Sequence, residues 1–214
     1  SWNIGMDFKT ADETLIYMNV SRGFKAAGFN IILSDAINVR NIGAVFKPEF
    51  TYNYELGLKM RVDNRYLFNV AAFVTDFRDK QEALFRNNQI IIANARAVQG
   101  QGIEAEFTGV WNKFFKTDIS LGALNIEYLD FEVPLNDTLS VNISGNKVYK
   151  APNVTFRFAP EFHTSVGKEL KMMIRADYSY TGKTYNDIFN TEIIARQGTG
   201  LLNGRISFST RNER

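Results

Sequence analysis

The chain has 214 residues, with 25 Lys and Arg against 23 Asp and Glu, one His and no Cys. A net charge of +2 argues against a nucleic-acid footprint, which needs a clustered basic excess. The lack of Cys excludes disulfides, iron–sulfur clusters and thiolate zinc sites, and His163 alone leaves no imidazole cluster for a metal, so no cofactor is expected.

No run approaches the roughly 18 apolar residues of a membrane-spanning helix. The mean hydropathy of −0.21 is low, but barrel strands alternate apolar with polar residues, and averaging hides them. In chain order, alternation runs through 2–9 and 14–22 and then becomes unbroken from Glu49 to Arg61. There Phe50, Tyr52, Tyr54, Leu56, Leu58 and Met60 occupy one face, and Glu49, Thr51, Asn53, Glu55, Gly57, Lys59 and Arg61 the other. A period of two over thirteen residues is incompatible with a helical stripe. Weaker alternation follows at 66–78, 90–111 and 115–128, a strong one at 153–163, an unbroken one at 170–181, and a last at 201–209. Nine antiparallel strands and no substantial helix are predicted.

The connectors Thr10–Glu13, Val62–Arg65, Asn112–Phe114 and Thr164–Glu169 are short, whereas Gly23–Pro48, Asp79–Gln89, Leu129–Pro152 and Gly182–Gly200 are long. They alternate strictly, which puts every short turn at one end of the sheet and every long loop at the other, as in a transmembrane β-barrel. Spanning strands need about 9–11 residues, against about 5–6 in soluble sheets, and the clearest strands here are of the longer kind. Tyr52, Tyr54, Tyr178 and Tyr180 fall at the long-loop interface and Tyr66 and Phe68 at the opposite one, as two aromatic girdles would. The expected fold is therefore all-β: an antiparallel up-and-down transmembrane barrel, present as an incomplete section of about nine strands. Phe50, Tyr52, Tyr54, Leu56, Leu58, Leu170, Met172 and Ile174 are expected to face lipid; Glu55, Lys59, Glu104, Glu106, Arg175 and Asp177 should face the interior. A soluble β-sandwich binding module is the alternative, and it requires these apolar faces to be buried between two sheets. With Ser1 inside an alternating segment and no initiator Met or signal peptide, the chain reads as a section of a longer one.

Several motifs dissolve on inspection. Gly100-Gln-Gly102-Ile-Glu-Ala105 matches a dinucleotide-binding fingerprint, but a strand pattern follows where the pyrophosphate would need a helix N-terminus. Gly182-Lys183-Thr184 lacks the upstream Gly of a phosphate-binding loop, since Asp177 stands there. Glu104 and Glu106 lie about 7 Å apart along a strand, a spacing open to a glycosidase pair but ordinary for interior-facing residues. His163 is read as a solvated residue beside a short turn. Asn19, Asn136, Asn142 and Asn153 begin N-x-[ST] triplets that chance accounts for.

More specific is the run Tyr17-Met-Asn-Val-Ser-Arg-Gly-Phe-Lys-Ala-Ala-Gly-Phe-Asn30. It resembles a strand-and-loop signature of TonB-dependent outer-membrane receptors, with Ala27 where a Gly is common. Phe46-Lys-Pro-Glu49 with Tyr54-Glu-Leu-Gly-Leu-Lys59, Phe73-Val-Thr-Asp-Phe-Arg-Asp79, Gln99-Gly-Gln-Gly-Ile-Glu-Ala-Glu106 and Ala151-Pro-Asn153 resemble the signatures that follow, in order. The resemblance implies a barrel of about 22 strands closed around an N-terminal plug. Neither the plug nor the closing C-terminal strands match anything in residues 1–214. It further implies a Gram-negative outer membrane location and lipid contact. TonB would engage through the plug region, and a scarce nutrient, usually a ferric siderophore, would be taken up without a catalytic step. It assigns no ligand-binding residue. Loops 23–48 and 78–98 each carry a net charge of +2, loop 129–152 carries −1 and loop 182–198 none, a slight positive potential that suits anionic chelates; cobalamin and carbohydrate stay open. A passive porin-type channel shares strands and girdles but not these signatures.

Overall fold

The computed structural model describes residues 1–11, 13–30, 45–86, 89–135, 139–167 and 169–210. The wall strands are β1 (Trp2–Ala11), β2 (Thr14–Lys25), β5 (Glu49–Val62), β6 (Tyr66–Arg86), β7 (Gln89–Val110), β8 (Phe115–Asp130), β11 (Val154–Val166), β12 (Leu170–Thr181) and β13 (Thr199–Thr210). They form one nine-stranded antiparallel sheet in which each strand pairs with the next along the chain, as expected. Short hairpins lie in the long connections: β3 (Gly28–Phe29) with β4 (Val45–Phe46), and β9 (Glu132–Pro134) with β10 (Ser140–Asn142). The described residues contain one helical turn, the 3-10 element Glu192–Ile194.

Turn chemistry explains the short end. Asp63 and Asn64 have φ of 52° and 51° and Arg65 N donates to Val62 O at 3.0 Å, two successive left-handed residues that give the turn between Val62 and Tyr66 a twist matching the strands. At the next turn the Asn112 side-chain oxygen accepts the amides of Phe114 and Phe115 at 2.8 and 3.0 Å, standing in for a backbone carbonyl.

Register then assigns the faces, because directly paired residues point the same way. Met18, Leu56, Ala72, Ile103 and Ala123 form one continuous row across β2, β5, β6, β7 and β8. Phe162, Ile174 and Ile206 form another across β11, β12 and β13. The same register puts Glu55, Lys59, Glu104, Glu106, Arg175 and Asp177 on the opposite face, as the alternation predicts. The apolar rows are bare: Ile4 is 70% exposed, Leu56 56%, Ile103 55% and Ile206 64%. No second sheet covers them among the described residues, which removes the sandwich alternative. On β6 this face runs Tyr66, Phe68, Val70, Ala72, Val74 and turns polar at Asp76 and Arg78. Tyr66 to Val74 is nine residues, or roughly 30 Å of strand, comparable with an apolar band about 25 Å tall crossed at a tilt. The short-turn girdle is a ring cluster, Phe107 lying 4.7 Å from Phe68 and 6.0 Å from Trp111, with Tyr66 5.4 Å from Trp111.

One expectation changes. Within the expected loop Asp79–Gln89, Asp79–Arg86 belongs to β6 and Gln89 begins β7, strands of 21 and 22 residues that stay paired above the apolar band; 87 and 88 lie outside the described residues. The hairpin is irregular where it leaves the band. Asp79 has φ 51°, and on β7 the buried positions shift from Ile91, Ala93 and Ala95 above to Val98 below.

Candidate functional site: interior face and long-loop assembly

The interior face is a set of satisfied polar contacts on a strand scaffold. At Tyr17 the hydroxyl donates to Glu55 Oε1 at 2.8 Å, and the Lys59 ammonium lies 5.4 Å from the ring centroid. Gly57 makes this possible, since a Cβ there would come within 2.2 Å of the Tyr17 ring. Beside them lie Glu104 and Glu106, and Asn69 donates to Glu106 at 3.3 Å. Toward the short turns Arg175 reaches Glu161 at 2.8 Å and Asp118 at 3.5 Å. Arg157 clasps Asp177, with Nε at 3.0 Å from Oδ1. Thr108 also donates to Asp118, and His163 shares a hydrogen bond with Glu161 at 2.6 Å. His163 is therefore exposed, as expected, but it belongs to this network. Each named carboxylate here except Glu104 has a hydrogen-bond partner, and the arrangement is that of an interior wall rather than of an acid–base pair.

At the long-loop end the chain builds a second structure, which the alternation gives no hint of. Leu84, Ile91, Ala93, Ala95 and Val98 of the β6–β7 hairpin pack with Tyr128 at the end of β8, with Phe131, Val133, Ile143 and Val148 of the 129–152 connection and with Ile188 of the 182–198 connection. This is the hydrophobic core of the described residues, and it lies in the loops rather than behind the wall. Glu82 sits inside it at 2% exposure, held by Lys80 and by the Tyr128 hydroxyl at 3.0 Å. Burial, and then the nearby Glu82 charge, push the Tyr128 phenol well above its ordinary range and raise the Tyr149 phenol, so both stay protonated.

Three asparagines clamp loop backbone from the side. Asn30 accepts from Ile92 N at 2.7 Å and donates to Ile92 O at 2.9 Å. Asn94 does the same to Lys47, at 2.8 and 3.1 Å, and Asn190 to Lys147, at 2.7 and 2.8 Å. A side-chain amide offers the donor and acceptor of a peptide, so each clamp replaces one rung of a β-ladder. Gln81 adds bonds to Ala26 O, Lys47 O and Glu49. Thus Asn30, Lys47, Glu49 and Asp79, which come from three signature runs of the sequence, meet around one hairpin; Lys47 Nζ lies 3.5 Å from Asp79. The clamps are missed by sequence reasoning because a lone Asn in a loop carries no period; of the three, Asn30 alone stands in a signature run, and that is the signal that could have found it.

The described loops also leave apolar groups open beside this core: Phe85 and Ile90 near the hairpin tip are 74% and 70% exposed, and Phe189 is 42% exposed. A hollow between Leu84, Phe85, Val133, Leu135, Tyr149 and Phe189 opens there. The arrangement suits holding and presenting a surface, with side chains fixed by a packed core, more than bond-making chemistry.

Known proteins share this architecture. A family model described as TonB dependent receptor-like, beta-barrel matches residues 1–212. Among solved structures, the ferric yersiniabactin uptake receptor of Yersinia pestis superposes with a TM-score of 0.76 at 20% identity, over 95% of this chain and 29% of that one. The ferric preacinetobactin receptor of Acinetobacter baumannii does so at 0.73 and 18%, over 98% and 29%. The copper transporter OprC does so at 0.69 and 15%, over 99% and 31%. The chain thus spans less than a third of the proteins it matches. At such identities these structures attest the fold, and the family match over nearly the whole chain supplies the identity: this chain belongs to the TonB-dependent receptor-like β-barrel family.

Proposed function

We propose that the intact protein is a Gram-negative outer-membrane receptor that imports a scarce nutrient, a ferric siderophore above all, with energy from TonB. The wall described here is one section of its barrel, and a plug domain and the closing strands lie elsewhere in the intact protein. Lipid contacts the apolar rows, and TonB engages the plug region. The observation that carries this reading is the match to receptor barrels along residues 1–212, with the signature residues converging on the loop assembly. The net positive charge of segment 23–48 and of the β6–β7 hairpin over 78–98 supports an anionic chelate, because a shared positive sign steers anions.

The test is uptake by cells carrying the full-length gene, grown without iron and supplied with a panel of labelled ferric siderophores. Saturable uptake of one chelate, abolished when TonB is deleted, is the expected result. Uptake that is unsaturable and indifferent to TonB favours a passive porin-type channel instead.

A further inference from the structure

The outward face carries an unexpected group of charges where the apolar rows end. Arg22, Tyr52, Asp76 and Gln99 are register partners across β2, β5, β6 and β7, with Arg78 one row above, beside Phe50. The Arg22 guanidinium stands 4.4 Å from the Phe50 ring centroid and 5.6 Å from that of Tyr52, and its Nε donates to the Tyr52 hydroxyl at 3.1 Å. The Arg78 guanidinium lies 5.1 Å from the same Tyr52 ring. Asp76 is the acid of the row, and it accepts from Gln99 at 2.8 Å. Among the described residues neither arginine forms an ion pair. Two planar cations are therefore held against one tyrosine by stacking, with most of their N–H donors unused. Directly beneath them on the same face, Val20, Tyr54 and Val74 begin the apolar rows, followed by Met18, Leu56 and Ala72.

We propose that this patch binds the phosphate of a membrane lipid, whose acyl chains lie along the rows below. Guanidinium forks match phosphate oxygens two at a time, and the site has the sign, the height and the apolar floor that such a lipid needs. The inference rests on the outer-membrane reading above, since that reading places this end of the wall at the outer leaflet.

Full-length receptor in detergent, exchanged with lipid A or with its dephosphorylated form, is to be compared by native mass spectrometry with the variant carrying Arg22→Gln and Arg78→Gln. Preferential retention of lipid A by the unaltered receptor, reduced about tenfold or more in the variant, is the expected result. An Arg22→Lys, Arg78→Lys variant should recover part of the loss, because charge returns without the fork. Heat-modifiable mobility on gels reports whether each variant folds. Equal retention of the two lipids, unchanged retention in the Gln variant, or displacement of lipid A by inorganic phosphate at equal concentration would overturn the proposal. Membrane fractionation of the same cells checks the location separately, so a failure of the outer-membrane reading is distinguishable from a failure of the lipid site.

Discussion

Gly57 shows how a single position sets the interior face. With no side chain it leaves room for the Tyr17 ring, and Tyr17 in turn holds Glu55 and faces Lys59. Gly57→Val should displace that ring and cost about 1–3 kcal/mol, the usual range for overpacking a filled site; equilibrium unfolding of the full-length receptor in lipid vesicles reads it. Arg175 makes a second case. Its partners Glu161 and Asp118 leave it mostly covered, so Arg175→Met and Glu161→Gln should be non-additive by about 0.5–3 kcal/mol in a double-mutant cycle. At the loop surface, Lys183 hydrogen-bonds Glu192 at 2.6 Å and Tyr185 donates to it at 2.9 Å, and these contacts, Lys183 first, hold the Glu192 carboxyl below its ordinary range. A depressed carboxylate stabilises above its unfolded pKa and loses that contribution as pH falls through its folded value. Amides of 183–194 should therefore exchange faster as pH drops below 4.5, beyond the intrinsic pH effect, and Lys183→Gln should remove that difference. Hydrogen exchange at pH 3.5 and pH 6 measures both.

Among elements, β5 was legible because thirteen alternating residues leave one way to lie in a sheet, and the register bears out both of its faces. The consequence is directional. Leu56→Arg puts a cation on the apolar face and should cost about 2–4 kcal/mol in a vesicle-folding equilibrium, whereas Asn69→Arg on the interior face should cost well under half of that. The β6–β7 hairpin was less legible. Its run Asp79-Lys80-Gln81-Glu82 is polar and breaks the alternation, so it reads as a loop. It is a strand because Asn30, Lys47 and Glu49 bind one part of it and the 129–152 and 182–198 connections bury another, and that tertiary support overrides local preference. The nine-strand order followed from the alternation of short and long connectors. The interior ion network did not, because which charges meet depends on register between strands far apart in sequence, such as Asp118 and Arg175. The part of loop 23–48 at 31–44 lies outside the described residues, so the charges counted there from Asp35 and Arg40 have no structural counterpart.

As a whole, the nine-stranded wall has two unpaired edges, the outer sides of β1 and β13, and a bare apolar face. Unpaired edges template aggregation in water and cannot persist in hydrocarbon, where each unsatisfied backbone group costs several kcal/mol. Residues 1–214 alone should therefore aggregate in detergent-free buffer, seen as void-volume material on size exclusion. The central claim is that one face meets lipid and the other water, and the lack of Cys in this segment makes it directly measurable. Single cysteines at Leu56, Leu58, Val74 and Ile174, and at Glu55, Lys59, Asn69 and Arg175, are to be spin-labelled in the full-length receptor in lipid vesicles. Labels at the first four should relax with oxygen dissolved in the bilayer, and labels at the second four with a water-soluble nickel chelate. If the two sets respond alike, or if accessibility fails to alternate between Glu55, Leu56, Leu58 and Lys59, the wall does not divide lipid from interior as described.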